Sequence, residues 1–208
     1  MKAIILDMYG VILKDPGEGF YEYVNQTFPE LDHKEIYAIW DKADLGEIPS
    51  LEVFRQLGYT GDLAAIEKTY LDTVEVNEDF YAFASEMKKH YKLALLSNDS
   101  SEWSRYFRGK YNLNQYFDVI TVSGDVKMKK PNPAIYQLTL EKLGLDAAEC
   151  VYVDDRRYNL AAAEEVGIVS KIPITIAITI PVIILIAAPA LIKITNNSAN
   201  ISKNNKHN

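Results

Sequence analysis

The sequence predicts an α/β fold, a doubly wound parallel sheet with an all-helical segment inserted after the first strand. Short continuous apolar runs, typical of strands buried on both faces, alternate with helical patterns. Such alternation is typical of right-handed βαβ units. One long stretch breaks the alternation because it carries helical patterns without strand-like runs. The four predicted strands are residues 3–6, 93–96, 117–122 and 150–153.

The helices of the predicted sheet domain are marked by residues that start or stop helices. Pro133 stands just before a helical pattern over residues 134–143, and Gly144 follows that pattern. Proline at a helix start and glycine after a helix end are typical of helix boundaries. Gly167 likewise follows a helical pattern. The other helical patterns cover residues 80–90 and 160–166.

The segment of residues 15–76 contains only helical patterns. Asp32 precedes one of these patterns, Ser50 begins another, and both are residue types that cap helix N-termini. We therefore expect residues 15–76 to form an all-helical cap, and residues 1–14 and 77–168 to form the α/β core. The helical patterns of the cap cover residues 20–27, 33–43, 50–57 and 63–74.

The C-terminal residues 169–208 differ in character from the rest of the chain. Residues 172–192 contain no charge and exceed the roughly 18 residues that a membrane-spanning helix needs. Three prolines disfavour a helix there, and alternating Ile and Thr at residues 174–180 favour a strand. Residues 195–208 are rich in Asn and Lys, a composition typical of disorder. An altered end, a sheet strand with a tail, and a membrane anchor all stay open.

Composition and charge narrow the class of partner. The net charge of −7 argues against a nucleic-acid-binding surface, because phosphate binding needs clustered Lys and Arg. The single cysteine, Cys150, excludes an intramolecular disulfide and is expected to be a buried thiol. The first residues lead directly into the first predicted strand, without a secretion signal. We therefore expect a cytoplasmic protein, with no membrane anchor unless residues 172–192 provide one.

Polar residues follow several of the predicted strands. In open parallel sheets the active site lies beyond the carboxyl ends of the strands, so these residues are expected to meet. Alone, each acidic or Ser-Asn cluster could be a turn former or a helix cap, and Lys130 could be a solvated loop residue. Together, in this order, they predict one site. The clusters are Asp7, Ser97 with Asn98, Lys130, and Asp154 with Asp155.

These clusters lie in four segments that resemble the four motifs of the haloacid dehalogenase-like hydrolases. The first segment runs Asp-Met-Tyr-Gly-Val from Asp7, the position of that family's nucleophile. Lys130 begins the third, in which Pro-Asn-Pro and an aromatic residue follow. The order and spacing match over residues 1–168, and the helical segment lies where one branch of the family has its cap. The four segments are residues 7–11, 95–98, 130–136 and 153–159.

The resemblance implies a Mg²⁺-dependent phosphatase that acts on a small phosphorylated metabolite. The carboxylate of Asp7 would attack phosphorus and form an aspartyl-phosphate. Lys130 would neutralise charge on Asp7 and on the phosphate. Mg²⁺ prefers oxygen ligands, and the implied ones are Asp7, Asp155, the backbone carbonyl of Tyr9 and, directly or through water, Asp154.

The remaining implied roles concern the phosphate and the residues around it. The hydroxyl of Ser97 and nearby backbone N–H groups would bind phosphate oxygens. Asn98 is assigned to substrate binding in the same motif, and Asn159 would orient groups around the site. These assignments follow from the resemblance alone.

Tyr9 occupies a catalytic position but departs from the family's phosphatases, which usually have there an Asp that serves as general acid and base. A phenol with a pKa near 10 is a poor base at neutral pH. We therefore expect slow turnover or a preference for good leaving groups. The Asp-x-Tyr-Gly run instead resembles the 2-haloacid dehalogenases of the same family, which need no metal.

Two alternatives to the phosphatase stay open. A dehalogenase would need an arginine from the helical segment to hold an anion, and Arg55 is the only arginine there. Against this alternative, Asp154 and Asp155 beside a nucleophilic Asp7 would repel one another without a cation. The second alternative is a degenerate, non-catalytic member that binds a partner or a metabolite.

Overall fold

The sheet of the computed structural model has five strands, all parallel, in the order β3-β2-β1-β4-β5. The structure describes residues 1–14, 27–28 and 31–172. The chain builds one half of the sheet outward from β1 and then the other half, which confirms the predicted doubly wound α/β class. The strands are β1 (Ala3–Leu6), β2 (Lys92–Ser97), β3 (Val119–Val122), β4 (Cys150–Val153) and β5 (Val169–Lys171).

The central strand β1 is fully buried because it pairs on both sides and is apolar throughout. Leu6, its last residue, lies opposite Leu95 of β2 and Val153 of β4. The carboxyl ends of these three strands therefore meet at one edge of the sheet. Cys150 begins β4 and is buried, as predicted, and burial raises the pKa of its thiol to about 11.

Helices surround the sheet, and four of those with described bounds lie between β1 and β2. Asp32 caps the first of them through a capping box with Glu35. Ser50 was predicted to cap the second, but it is the first residue of that helix, and its hydroxyl donates to Glu67 at 2.5 Å. The described helices are α1 (His33–Asp44), α2 (Ser50–Gln56), α3 (Leu63–Thr73), α4 (Asp79–Met87), α5 (Ser101–Lys110), α6 (Ser123–Val126), α7 (Pro133–Leu143) and α8 (Arg157–Glu165).

The inserted helices α1–α3 leave and rejoin the sheet through two adjacent segments. The N–H of Lys14 donates to the carbonyl of Glu75 at 2.8 Å, and the N–H of Asn77 donates to the carbonyl of Ile12 at 2.9 Å. These bonds join residues 12–14 to residues 75–77, the two ends of the inserted segment. The division into a cap and a core stays a prediction, and most of the predicted helix over residues 20–27 lies outside the described residues.

The sheet continues past residue 168, the predicted end of the core, because β5 pairs with β4. Apart from Ile172, the uncharged segment 172–192 lies outside the described residues, as does the tail. Within the described ranges, no helix has both the length and the apolar character needed to cross a membrane.

Candidate active site

Asp7 follows β1 at the centre of the sheet edge. Its N–H donates to the carbonyl of Val153 at 2.9 Å, which continues the pairing with β4. Its side chain is only 9% exposed, and the Oδ1 atom accepts a hydrogen bond from the N–H of Met8 at 2.7 Å. The carboxylate therefore has a fixed position at the bottom of the site.

Lys130 brings a buried positive charge to Asp7. The ammonium Nζ lies 2.7 Å from Asp7 Oδ1 and 2.8 Å from Asp154 Oδ2, and its side chain is 1% exposed. Nζ also donates to the carbonyl of Leu96 at 3.2 Å. One cation thus bridges two carboxylates that follow two neighbouring strands.

Asn98 holds the backbone of Lys130 on both sides of the residue. Its Oδ1 accepts from the N–H of Lys130 at 2.8 Å, and its Nδ2 donates to the carbonyl of Lys130 at 2.9 Å. Asn98 was predicted to bind substrate, and it lines the cavity described below. Its hydrogen bonds also fix the position of the lysine.

The two acidic residues after β4 differ in environment. Asp154 is fully buried and accepts hydrogen bonds from Lys130, the Tyr152 hydroxyl, the N–H of Arg156 and the amide of Asn159. Asp155 is partly exposed, and its Oδ2 lies 3.1 Å from Nε of Arg156. Carboxylate oxygens of Asp7, Asp154 and Asp155 all lie within 4.8 Å of one another.

The pKa values of the two buried carboxylates that share Lys130 shift in opposite directions. Burial raises the pKa of Asp7 to about 8; Lys130 lowers it and Asp154 raises it. Burial also acts to raise the pKa of Asp154, but Lys130 and the other hydrogen-bond donors outweigh it, so this pKa is lowered. The pKa of Lys130 is raised, because its two carboxylate partners outweigh the effect of burial. Asp154 therefore keeps its negative charge, and Asp7 needs further positive charge to be fully ionised at neutral pH.

Two polar atoms at the site are buried and lack a hydrogen-bond partner within the described part of the chain. They are Oγ of Ser97 and Oδ1 of Asn159. Ser97 is fully buried at the end of β2 and does not line the cavity, unlike its neighbour Asn98. Asn159, the predicted supporting residue, directs its Nδ2 to both oxygens of Asp154 at 3.0 and 3.2 Å.

A cavity of about 280 Å³ opens above Asp7, between the sheet edge and the inserted helices. Its floor is formed by residues that follow the strands, and its opposite wall comes from α1 and α3. The floor includes Asp7, Tyr9, Asn98, Lys130 and Asp155, and the wall includes Tyr37, Trp40, Asp41, Asp44 and Tyr70.

Tyr9 lines this cavity, and its hydroxyl group is hydrogen-bonded to an acidic residue outside the predicted set. Its hydroxyl donates to Oδ2 of Asp99 at 3.2 Å. Burial, and next the charge of Asp99, raises the pKa of Tyr9. Burial, and next the charge of Asp44, raises the pKa of Asp99 well above its usual range.

Gly10 gives Asp155 room to approach Asp7. Its φ angle of 74° lies in the left-handed region, where side chains with a Cβ are strained. A Cβ atom at this position would lie 2.7 Å from Cγ of Asp155. Glycine is therefore needed here for two independent reasons.

The sequence did not identify several residues that line the cavity. Asp41, Asp44 and Lys129 bring three further charges to it, and Lys129 contacts Asp41 and lies 3.9 Å from Asp44. Arg55, the arginine considered for a dehalogenase, does not line the cavity. Its side chain is 65% exposed and pairs with Glu52 on the same helix.

Comparison with known proteins gives one family and one fold. A sequence model described as haloacid dehalogenase-like hydrolase matches residues 1–167. Among curated proteins, the phosphorylated carbohydrates phosphatase of Thermotoga maritima is 26% identical over 181 residues, which cover 81% of this chain and 82% of that protein.

Two solved structures share the architecture. A variant of a HAD family enzyme from Bacteroides thetaiotaomicron, in complex with magnesium and inorganic phosphate, has a TM-score of 0.73 at 21% identity, over 83% of this chain and 94% of that chain. The L-2-haloacid dehalogenase of Xanthobacter autotrophicus has a TM-score of 0.61 at 22% identity, over 82% and 76% of the two chains. At these identities the likeness concerns the fold alone.

Proposed function

Because this chain belongs to the haloacid dehalogenase-like hydrolases, we propose that it is a Mg²⁺-dependent phosphatase in which Asp7 attacks a small phosphomonoester. The observation that carries the proposal is the buried arrangement of Asp7, Lys130 and Asp154, with Asp155 beside them. A carboxylate nucleophile for a phosphate dianion needs concentrated positive charge, and this arrangement supplies one cation and ligands for a second. The phosphatase among the relatives supports the same reaction class.

The donor set suits a hard divalent cation. Three carboxylates within 4.8 Å of one another are oxygen donors of the kind that Mg²⁺ prefers. We propose that Asp7, Asp155 and the Tyr9 carbonyl would hold the ion, and that Asp154 would bind through water, because its oxygens already accept several hydrogen bonds. When bound, Mg²⁺ would neutralise negative charge on the phosphate and on Asp7.

The residues of the chain then have distinct tasks in the reaction. The Asp7 carboxylate forms a bond to phosphorus as the bond to the leaving oxygen breaks, which gives an aspartyl-phosphate. Lys130 stabilises the charge that Asp7 shares with the phosphate, and Asn98 keeps that lysine in place. Water then attacks phosphorus, and the Asp7 carboxylate is released.

The substrate that we propose is a small phosphorylated metabolite. A cavity of about 280 Å³ accommodates a compact molecule and is bordered on one side by the inserted helices. The net charge of −7 disfavours nucleic acid as a substrate. A cytoplasmic location, suggested by the single buried thiol, is part of the same proposal.

Tyr9 favours a second candidate, a metal-independent 2-haloacid dehalogenase. A solved dehalogenase shares the fold. However, Arg55 lies on the surface, away from the cavity, and the carboxylates around Asp7 would repel one another without a metal ion. These two observations favour the proposed phosphatase over the dehalogenase.

One experiment separates these functions. Purified protein is assayed for phosphate release from 4-nitrophenyl phosphate and for chloride release from 2-chloropropionate, each with Mg²⁺ and with EDTA. We expect phosphate release that EDTA abolishes and that Asp7→Asn removes while circular dichroism stays unchanged. Chloride release in EDTA would establish the dehalogenase instead. If folded protein releases neither phosphate nor chloride, the alternative of a non-catalytic family member is favoured.

A further inference from the structure

The proposed phosphatase needs a proton donor for its leaving group and a base for the attacking water. Tyr9 cannot act as that base at neutral pH. Its hydroxyl proton is directed to Asp99, at 3.2 Å. Burial and the charge of Asp99 keep this phenol protonated. Another group must therefore accept a proton from water in the second half of the reaction.

Asp44 is a carboxylate that the inserted helices bring to the same cavity. It is the last residue of α1 and lines the cavity together with Asp7 and Tyr9. Its side chain is 16% exposed, and it lies 3.9 Å from Nζ of Lys129, a separation longer than a hydrogen bond. Asp44 thus belongs to the wall of the cavity whose floor holds the proposed nucleophile.

The surroundings of Asp44 suit a group that both gives and takes a proton. Burial, the largest cause, raises its pKa to about 7; Lys129 and Lys130 lower it, and Asp41 raises it. A carboxyl that titrates near neutral pH is present in both protonation states there. The titratable groups that interact electrostatically with Asp44 are Asp41 on its own helix, Lys129 and Lys130 before α7, Asp99 after β2, Tyr9 after β1, and Tyr70 on α3.

The position of Asp44 relates it to the missing acid/base residue. The charge of Asp44 adds to burial in raising the pKa of Tyr9, the residue at the position of the acid/base Asp in related phosphatases. Lys130, which contacts Asp7, lowers the pKa of Asp44. Asp44 therefore lies within electrostatic range of both groups. A proton donor at this wall would face the leaving group of a phosphate seated on Asp7.

We propose that Asp44 is the general acid and general base of this enzyme, an inference that rests on the proposed phosphatase function. In the first step Asp7 bonds to phosphorus, the bond to the leaving oxygen breaks, and the neutral Asp44 carboxyl gives that oxygen its proton. In the second step the Asp44 carboxylate takes a proton from water as the water oxygen bonds to phosphorus. The bond between Asp7 and phosphorus breaks, and inorganic phosphate leaves.

The test compares leaving groups in the first turnover of the whole chain described by the sequence, with Mg²⁺. Phenyl phosphate needs protonation of its leaving oxygen far more than 4-nitrophenyl phosphate does. We expect Asp44→Asn to slow the first turnover of phenyl phosphate by roughly 10²–10⁴-fold, and that of 4-nitrophenyl phosphate by less than about tenfold. Because hydrolysis of the aspartyl-phosphate also loses its base, phosphorylated enzyme should accumulate after a burst of nitrophenolate, as measured by intact-protein mass spectrometry.

Asp41→Asn is the matched control, since Asp41 lies one turn earlier on α1, lines the same cavity and also pairs with Lys129. It should change both substrates by the same factor and show no burst. Asp44→Glu should recover part of the phenyl phosphate rate. Equal losses of rate on both substrates in Asp44→Asn, without accumulated phosphoenzyme, would overturn the proposed role of Asp44 but not the proposed function. A wild-type protein inactive on both substrates would overturn the proposed function itself.

Discussion

At the scale of single residues, Lys130 decides whether the buried carboxylates can coexist. Its ammonium group contacts both Asp7 and Asp154, and all three side chains are almost entirely enclosed. Removing one partner from a buried ionic cluster leaves an uncompensated charge, which usually costs more than the pairing itself contributes. We therefore expect the lysine to contribute to the stability of the fold as well as to the proposed chemistry.

We expect Lys130→Met to lower the free energy of unfolding by roughly 3–5 kcal/mol in EDTA and to abolish turnover. Urea unfolding followed by circular dichroism measures the first effect. Lys14→Met is the control, because Lys14 forms an exposed ion pair with Glu75, and it should leave the urea midpoint unchanged. Equal midpoints for the wild-type protein and Lys130→Met would show that the buried cluster contributes nothing to stability.

Gly10 allows a prediction about the proposed metal site. Gly10→Ala places a methyl group against Asp155 in a left-handed backbone conformation. We expect weaker Mg²⁺ binding, measured by calorimetry, and a loss of stability of about 1–2 kcal/mol from the backbone strain. Gly58→Ala has the same strain, since its φ angle is 91°, but its methyl group would meet no atom within 4 Å. It should lose stability and keep Mg²⁺ affinity; equal affinity losses in both variants would contradict the prediction.

The strand-end residues could be predicted from the sequence, whereas the opposite wall of the cavity could not. Asp7 and Asp154 each follow an apolar strand, and parallel strands bring their carboxyl ends together. Asp44 lies on an amphipathic helix, where acidic residues are ordinarily solvated. Only the packing of α1 over the sheet edge buries it, and that packing depends on contacts far apart in the sequence.

At the scale of elements, α5 joins the inserted helices to the sheet. Trp103 on this helix packs against the rings of Trp40, Phe54 and Tyr70, with centroid separations of 5.2, 6.2 and 5.0 Å. Its indole Nε1 donates to Glu67 of α3 at 2.8 Å. Glu67 also accepts a hydrogen bond from the hydroxyl group of Ser50, so one carboxylate connects three helices.

We expect Trp103→Ala to destabilise the protein by roughly 3–5 kcal/mol, because it empties the centre of this ring cluster and removes a partner of Glu67. Thermal and urea unfolding of the variant measure the loss. Trp103→Phe should retain most of the packing and lose less. A destabilisation below about 1 kcal/mol for Trp103→Ala would mean that the insert is held by other contacts.

The sequence did not predict α5, and the reason is its narrow apolar stripe. Only Trp103, Ser104 and Phe107 of its residues are buried, and the rest are largely charged or polar. By contrast, α7 was predicted with nearly its observed bounds because Pro133 starts it and Gly144 ends it. Local signals at helix ends were therefore more informative than periodicity over a short polar helix.

At the scale of the whole molecule, the strand order follows from the alternation of strands and helices, since β1 lies at the centre and each half of the sheet grows outward from it. The short edge strand β5 was not predicted, because its three residues, Val169–Lys171, are too few for a periodic signal. Pairing with β4 provides what local sequence lacks.

The stability of the whole fold should depend on pH through Asp44. Its pKa is about 7 in the folded protein, against 3.8 for the free side chain. A raised pKa means that the folded state binds the proton more tightly than the unfolded state does. The contribution of Asp44 to the free energy of unfolding is therefore fully present below about pH 4 and is lost as the pH rises through 7.

We predict that Asp44→Asn, which cannot ionise, is more stable than the wild-type protein at pH 8 and closely matched to it at pH 4. The shift in pKa corresponds to a difference of up to roughly 4 kcal/mol between these limits. Urea unfolding at both pH values measures the difference, and Asp41→Asn, on the same helix but with a 52% exposed carboxylate, should show a much smaller one. Parallel stability curves for Asp44→Asn and the wild-type protein would mean that Asp44 ionises as freely in the fold as in water. Because the experiment needs neither substrate nor metal, it tests the burial of this carboxylate independently of any catalytic role.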